Sequence, residues 1–472
     1  MLPRAATASA VATIGSGLNS VQVKQRLAFL KSLVLGQDAT SSLRSRAVHS
    51  GAWIGVGFGI QKVLQLGSNL ILTRLLFPEA FGLMALATVF LVGLQMFSDI
   101  GLKPAVIRDP RGDDPQFLNT AWTIQVARGL LLCAIGVAIA YPISLIYRQP
   151  IMFPLLSVLS TTAAINGFMS IGMATAERRL DFRTITIVQI AGQVVSIGLL
   201  VTLAYFWRSV WALAVANVVS TAMTVAIGYL ILPRHTHQLA MDRDAAKSLI
   251  HFGRWILFST LATYLGGEGL KAIQGGLLSP AEFGVLAIAY TIAGIPNELA
   301  ARLSSSLGLP VLAETYRNAP DAARSVLSAL RKRTITISLI LFTGVIAISE
   351  PAIELLYDPR YHNAAEYIAA LCLSSAVTTI GLGYISSILA IGQSSLYFHI
   401  MSTTFVVRSI GLFLGFEFDG ILGMLYGVAL SNVLIFFFTC IFAKKLNISN
   451  TLIDTASLAY TLCLTLAYIY VT

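Results

Sequence analysis

The chain has 472 residues, of which 32 Lys and Arg and 22 Asp and Glu leave only 11% charged, while 56% are hydrophobic and the mean hydropathy is +0.77. A soluble protein carries about 25% charged residues and needs them to cover its surface, so a soluble globular class is excluded. The net charge of +10 is not read as a nucleic-acid footprint, because a polytopic membrane protein collects its Lys and Arg in cytoplasmic loops.

Met1–Asp38 holds no compact apolar run followed by a small-residue cleavage site, so no removable signal peptide is expected. Within it Val21–Leu35 reads either as a basic amphipathic helix on the membrane surface or as disordered chain. Thirteen apolar stretches follow, near 52–76, 82–103, 118–146, 151–174, 184–206, 209–232, 255–278, 283–308, 334–357, 364–391, 396–416, 419–442 and 451–471. Each is long enough to cross a hydrocarbon core of about 30 Å, which predicts an all-α, polytopic membrane protein. Pro142, Pro296 and Pro351 fall inside spans, where a membrane helix re-satisfies the freed backbone groups. Cys133, Cys372, Cys440 and Cys463 lie singly in apolar stretches and read as small core residues, neither a disulfide framework nor a metal site.

Positive charge sets the direction. The N-terminal tail and the segments 103–111, 178–183, 234–254, 317–333 and 444–445 carry 23 Lys and Arg, whereas the opposite face carries only Arg74, Arg148, Arg208 and Arg360. That split predicts a cytoplasmic N-terminus, and an odd number of spans leaves Thr472 outside. Exterior connections such as Trp207-Arg208-Ser209 and Phe416–Gly420 are too short to build a catalytic domain. Whatever chemistry the chain performs is therefore expected between its helices.

Residues 49–87 align with 251–289 at a fixed offset of 202 with 13 identities in 39 positions. Among them are His49/His251, Trp53/Trp255, Pro78/Pro280, Phe81/Phe283 and Gly82/Gly284. Shared membrane-helix composition inflates matches of Leu, Ala, Gly and Ile, but Trp, His and a Pro-x-x-Phe-Gly turn are rarer and point to duplication. An even number of intervening spans makes the repeat parallel, about an axis along the membrane normal. The expected layout is a tail over 1–44, a six-helix lobe over 45–233, a cytoplasmic connection over 234–250, a second six-helix lobe over 251–443 and one extra helix over 444–472. Two such lobes would enclose a central cavity. In each, Leu-Leu-x-Pro-x-x-Phe-Gly marks the exterior turn, with Pro ending the first helix and Gly allowing a tight return.

The run Thr73-Arg-Leu-Leu-Phe-Pro-Glu-Ala-Phe-Gly-Leu-Met-Ala-Leu-Ala87, with Phe97-Ser-Asp-Ile-Gly-Leu102 and Phe117-Leu-Asn-Thr-Ala-Trp122, resembles the first helices of bacterial Wzx-type oligosaccharide flippases. These form the polysaccharide-transport branch of the multidrug/oligosaccharidyl-lipid/polysaccharide exporter superfamily. The resemblance is strongest over 48–135 and extends to about 445. It implies two lobes of six helices in a bacterial inner membrane and outward flipping of polyprenyl-pyrophosphate-linked oligosaccharide. Membrane lipids, a polysaccharide polymerase and a chain-length regulator are the partners implied, with no cofactor and no nucleic acid. The chain departs from the family in its long N-terminal tail and in a single extra span after Lys444-Lys445, where members often have two or none.

Ionisable groups at membrane depth are expensive and mark a pathway or a site by default. Lys62 and Lys271, on the first and seventh spans, fall on nearly one face of repeat-related helices. With Arg128 and Arg408 they are candidates to hold a pyrophosphate through charge-assisted hydrogen bonds. Against this, Glu268 and Lys271 are spaced to neutralise each other locally, Arg128 has helix carbonyls within reach, and Arg302 and Arg74 lie close enough to the ends to snorkel. Glu298, beside Pro296, reads either as a coupling-ion ligand or as the counter-charge of a cavity lysine; Glu268 has the same two readings. Asp99 is expected to anchor Lys103 or backbone N–H groups rather than to carry protons. Gly266-Gly267-Glu268-Gly269 either unwinds the seventh helix or packs closely against a neighbour, the commoner use of membrane glycine.

His235-x-His237 lies in a polar connection and lacks further metal ligands, and His49 and His251 are assigned no chemistry. No Gly-x-x-x-x-Gly-Lys-Ser/Thr phosphate loop and no nucleophile–base constellation is present, so no catalytic residue is expected. The leading reading is therefore a lipid-linked oligosaccharide flippase working by alternating access. A cation-coupled multidrug exporter is the alternative, disfavoured because mid-span bases outnumber acids. A membrane polymerase or ligase is the third, disfavoured by the short exterior turns.

Overall fold

The computed structural model describes residues 43–97, 102, 106–107, 109, 111–179, 181–232, 238–242, 260–261, 263–303, 320–390, 394–445 and 451–471. Its helices are α1 (Leu43–Leu75), α2 (Pro78–Phe97), α3 (Pro115–Ile146), α4 (Met152–Gly167), α5 (Gly172–Arg178), α6 (Phe182–Trp207) and α7 (Val210–Ile231). A π-helical turn (Leu265–Gly269) leads into α8 (Leu270–Leu277), followed by α9 (Pro280–Leu303), α10 (Pro320–Leu356), α11 (Ala364–Ala390), α12 (Ser394–Lys445) and α13 (Thr451–Val471). No strand occurs among the described residues. Eight of these helices are long and apolar enough to cross a membrane, and the bent α4–α5 pair makes a ninth. Met1–Asp38, with its Val21–Leu35 segment, and the paired histidines His235 and His237 lie outside the described residues.

Local chemistry explains most of the boundaries. Pro78, Pro115 and Pro280 each open a helix, where a missing N–H costs nothing. Asp114, Asp181 and Ser209 accept hydrogen bonds from the first turns of α3, α6 and α7. Pro142, Pro296 and Pro351 all sit inside helices, as expected. The expected span 151–174 is instead two helices, α4 and α5, bent by 58° at Phe168–Ile171. Helix α12 is a hairpin, reversing at Asp419 and Gly420, where Gly420 adopts φ +54°, ψ −128°. Its two halves cross closely, with Gly411 against the Gly427 carbonyl and Gly415 against the Gly423 carbonyl, so two Gly-x-x-x-Gly pairs face each other.

The helices pack in two groups. In the first, α3 packs on α4, α6 on α7 and on α1, and α4 on α7. In the second, α11 is the hub, packed by α9, α10, α12 and α13, and 72% of its apolar window is buried. Cys372 is buried in this hub, and all four cysteines are free. The main contact between the groups is α2 on α9.

That contact shows what Gly82 and Gly284 do. A Cβ on Gly82 would overlap the carbonyl of Pro280, and one on Gly284 would overlap the carbonyl of Pro78. The two positions are related by the offset of 202, so each hairpin seats its glycine on the other's proline. This corrects the expectation of a tight return turn: both glycines lie within helices, and the lack of a side chain serves close approach between groups. Around this contact Tyr361 Oη donates to the Leu76 carbonyl at 3.3 Å, Arg360 to the Thr73 carbonyl at 3.5 Å and Arg74 to the Leu356 carbonyl at 3.4 Å. The hairpin end between the two groups is sealed.

Candidate functional site

Below the sealed hairpins lies a cavity of about 540 Å³ between the two groups. From the first group α1, α2, α6 and α7 line it; from the second, the π turn, α8 and α9. Its charged lining residues are Glu268, Lys271 and Glu298.

Lys271 Nζ donates to Glu268 Oε1 at 2.7 Å and lies 5.2 Å from the centre of the Tyr290 ring. Tyr290 in turn donates from Oη to Gln274 Oε1 at 2.9 Å. Glu268 owes its place to the π turn, whose extra residue rotates the side chains that follow and widens the backbone. Gly266 and Gly267 have open space where a Cβ would stand. The close-packing reading of these glycines is therefore corrected: the segment departs from α-helix, as the alternative expected. Arg408 Nη1 donates to the Gly266 carbonyl at 2.8 Å, Nε to Asn432 Oδ1 at 2.6 Å and Nη2 to Thr378 Oγ1 at 3.3 Å. Arg408 thus props the widened turn from behind and does not line the cavity.

At the other end of the cavity Lys62 Nζ donates to Glu298 Oε1 at 2.7 Å and to Gln65 Oε1 at 2.9 Å. The Lys62 side chain is only 16% exposed, whereas Glu298 is 47% exposed, so this end is bridged but not closed. Beside the pair, the Arg302 guanidinium stacks 4.6 Å from the Phe58 ring, a second link from α9 to α1. Sequence placed Lys62 and Lys271 on one face of equivalent helices. In the structure Lys271 lines the cavity, while Lys62 stands at its rim behind Glu298.

Arg128 Nη2 donates to the Gln95 carbonyl at 2.9 Å, and it too is absent from the cavity wall. Asp99 lies outside the described residues. The excess of bases over acids expected in mid-membrane does not hold at the cavity, where Lys62 and Lys271 face Glu298 and Glu268. No group of three or more His, Cys, Asp and Glu among the described residues is arranged to hold a metal ion.

Two features escaped the sequence. Arg331, counted there among cytoplasmic loop charges, is 3% exposed; its Nη2 donates to Asp454 Oδ1 at 2.7 Å and its guanidinium lies 3.6 Å from the Tyr384 ring centre. Tyr384 Oη donates to Asp454 Oδ2 at 2.6 Å. This network fastens α13 to α10 and α11, and the only sequence signal was a lone acid one turn into the last apolar span. The other is the connection between the groups: the backbone N–H groups of Gln238, Ala240 and Asp242 donate to Asn119 Oδ1, Thr123 Oγ1 and Thr120 Oγ1 at 3.0–3.2 Å. Residues 238–242 are thereby strapped along the first turns of α3.

The sequence and the fold have relatives. The family model described as "Polysaccharide biosynthesis protein" matches residues 71–366, and the chain belongs to that family. It is 21% identical over 331 residues to the succinoglycan biosynthesis transport protein ExoT of Rhizobium meliloti (strain 1021), covering 70% of this chain and 66% of ExoT. It is 20% identical over 399 residues to the lipopolysaccharide biosynthesis protein WzxC of Escherichia coli (strain K12), covering 83% and 80%. Among solved structures, an inward-facing multidrug resistance MATE family transporter of the MOP superfamily superposes with a TM-score of 0.64 at 14% identity, covering 82% of this chain and 95% of that one. The lipid II flippase MurJ in an inward closed conformation gives 0.63 at 12% identity, covering 88% and 98%. An outward-facing MATE family transporter gives 0.53 at 16% identity, covering 92% and 98%. The fold is that of the MOP superfamily.

Proposed function

We propose that this chain is a flippase that carries polyprenyl-pyrophosphate-linked oligosaccharide across the membrane by alternating access, for surface or exopolysaccharide biosynthesis. The observation that carries the reading is one cavity between two helix groups, sealed at the hairpin end and bridged at the other by Lys62–Glu298. Family membership and the transport and polysaccharide roles named for its relatives support the same reading, and favour transport over catalysis. The split of positive charge, 22 to 4 once the buried Arg331 is set aside, supports a cytoplasmic N-terminus, and in that orientation the sealed hairpins face outward and the cavity faces inward.

Lys271 and Lys62 are the groups that would receive the diphosphate, each by exchanging its carboxylate partner for a phosphate oxygen. The head group would enter from the cytoplasmic side while the polyprenyl tail stays in lipid. Rocking of the groups about the α2–α9 contact would then open the hairpin end. A head group with roughly two negative charges gains about 4–5 kcal/mol per 100 mV on leaving a negative-inside cell if no cation accompanies it, which biases the direction outward. The assignment of the two groups as six-helix lobes over 45–233 and 251–443, the bacterial plasma membrane as site, and a polymerase and chain-length regulator as partners belong to this proposal.

The second reading, a cation-coupled multidrug exporter, draws on Glu268 and Glu298, two carboxylates on the cavity wall. Purified protein in liposomes with a fluorescent polyprenyl-pyrophosphate oligosaccharide separates the two. Wild type is expected to move the head group under an imposed potential, and Lys62→Ala and Lys271→Ala to lose most of that rate. Export of organic cations without head-group movement would establish the exporter instead.

A further inference from the structure

The cavity has two chemically different walls. All three of its charged lining residues, Glu268, Lys271 and Glu298, come from the second group. Every lining residue from the first group is uncharged, and the polar ones are Gln65, Asn69, Thr88, Ser196 and Asn217. These come from four helices, α1, α2, α6 and α7, so the neutral polar wall is shared by every first-group helix that reaches the cavity.

Among the described residues, the side-chain amides of Asn69 and Asn217 have no hydrogen-bond partner, and neither has the Ser196 hydroxyl. Asn217 is exposed although it lies in the middle of an apolar helix, and its exposure is to this cavity. Thr88 spends its hydroxyl proton on the Met84 carbonyl, leaving its oxygen to accept. Gln65 accepts from Lys62 and keeps its amide N–H groups. An amide side chain offers a donor and an acceptor side by side, the pattern presented in reverse by vicinal sugar hydroxyls. Polar groups without a partner at this depth are costly unless water or a ligand serves them.

We infer that the first-group wall is a saccharide subsite, with Asn69 and Asn217 at its centre, and that the sugars it receives next to the diphosphate are uncharged. The inference rests on the flippase reading and adds to it a division of labour: diphosphate on the lysines of the second group and the rim, glycan on the amides opposite. An acidic sugar finds no Lys or Arg among the residues lining that wall, since Lys62 stands at the rim held by Glu298, and the carboxylates Glu268 and Glu298 across the cavity repel it.

The test uses the full chain in liposomes and three fluorescent polyprenyl-diphosphate probes: one without sugar, one with a neutral trisaccharide, and one with a hexuronate next to the diphosphate. Wild type is expected to move the neutral glycan about tenfold faster than the hexuronate, the discrimination that one or two lost hydrogen bonds provide. Asn69→Ala and Asn217→Ala are each expected to slow the neutral glycan about tenfold while changing the sugar-free probe less than about twofold. Asn69→Gln, which keeps the amide, retains most of the rate and guards against a folding defect. Equal losses on the glycan and sugar-free probes, full activity in both alanine variants, or equal handling of the hexuronate would overturn the subsite. Movement of none of the three lipids by wild type would instead overturn the flippase reading itself.

Discussion

Buried charge is where single residues matter most in this chain. Arg331 is nearly inaccessible and faces Asp454, and its Nε and Nη1 have no hydrogen-bond partner. Removing one member of such a pair leaves the other uncompensated and costs about 3–5 kcal/mol, whereas replacing both with apolar groups is often neutral. Arg331→Met is therefore expected to lower the thermal midpoint in detergent strongly, and Arg331→Met with Asp454→Leu to recover most of it. Lys62–Glu298 is of another kind. With Glu298 half exposed, its break should cost stability little, about 1 kcal/mol or less, yet it joins the two groups at the open end of the cavity. The swap Lys62→Glu with Glu298→Lys is expected to keep the fold and the bridge but to slow head-group movement, because the cation then stands on the opposite rim. Sequence singled out Lys62, Lys271 and both glutamates from depth alone. It also took Arg128 and Arg408 for cavity groups, because depth does not say which side of a helix meets a carbonyl. Arg408 is consumed by a carbonyl that only the π turn makes available.

At the scale of elements, apolar length was legible, and the described helices overlap the stretches it marked, although α10 begins at Pro320 rather than near 334. The bend at Phe168–Ile171 was not, since no proline or charge marks it, and neither was the strap at 238–242, whose partners are side chains of a distant helix. The meeting of α2 and α9 is the element contact with the sharpest consequence. Because Gly82 sits against a backbone carbonyl that has no freedom to rotate away, Gly82→Leu is expected to push the hairpins apart at a cost of about 1–3 kcal/mol to the sealed arrangement. Measured by spin-label distances across the hairpin end, this variant should populate a more open outer face than wild type. A polar clasp holds the α2–α3 connection: Arg178 donates to the carbonyls of Val106, Ile107 and Asp109 and pairs with Asp113 at 3.1 Å, and Arg179 pairs with Asp113 at 3.0 Å. The Asp113 carboxyl is held below its ordinary value, chiefly by its hydrogen bond from Arg179. A depressed carboxylate contributes stability that is present above its unfolded value, about 3.9, and is lost as pH falls through the folded value. Thermal midpoints of wild type should thus fall on acidification in that range, and Asp113→Asn should flatten that part of the profile.

For the molecule as a whole, positions related by the offset of 202 meet across the two groups, Gly82 seated on Pro280 and Gly284 on Pro78. A central cavity between two lobes was expected from the sequence; its division into a charged wall from one group and a neutral wall from the other was not legible there. Its walls are assembled from side chains spread over residues 65–298, so no local pattern marks them. Alternation of access to this one cavity is the central claim. Thr291 lines the cavity and spends its hydroxyl on its own helix, so a cysteine there reports accessibility with little disturbance. In a background where Cys133, Cys372, Cys440 and Cys463 are replaced, Thr291→Cys would be labelled with an impermeant maleimide from each side of sealed vesicles. Labelling from the side of the N-terminus, protection by lipid-linked oligosaccharide, and new labelling from the opposite side when Gly82→Leu is added are the expected results. Labelling of the unmodified hairpin end from outside, or no protection by the lipid-linked substrate, would contradict the assignment of this cavity as the path of the head group.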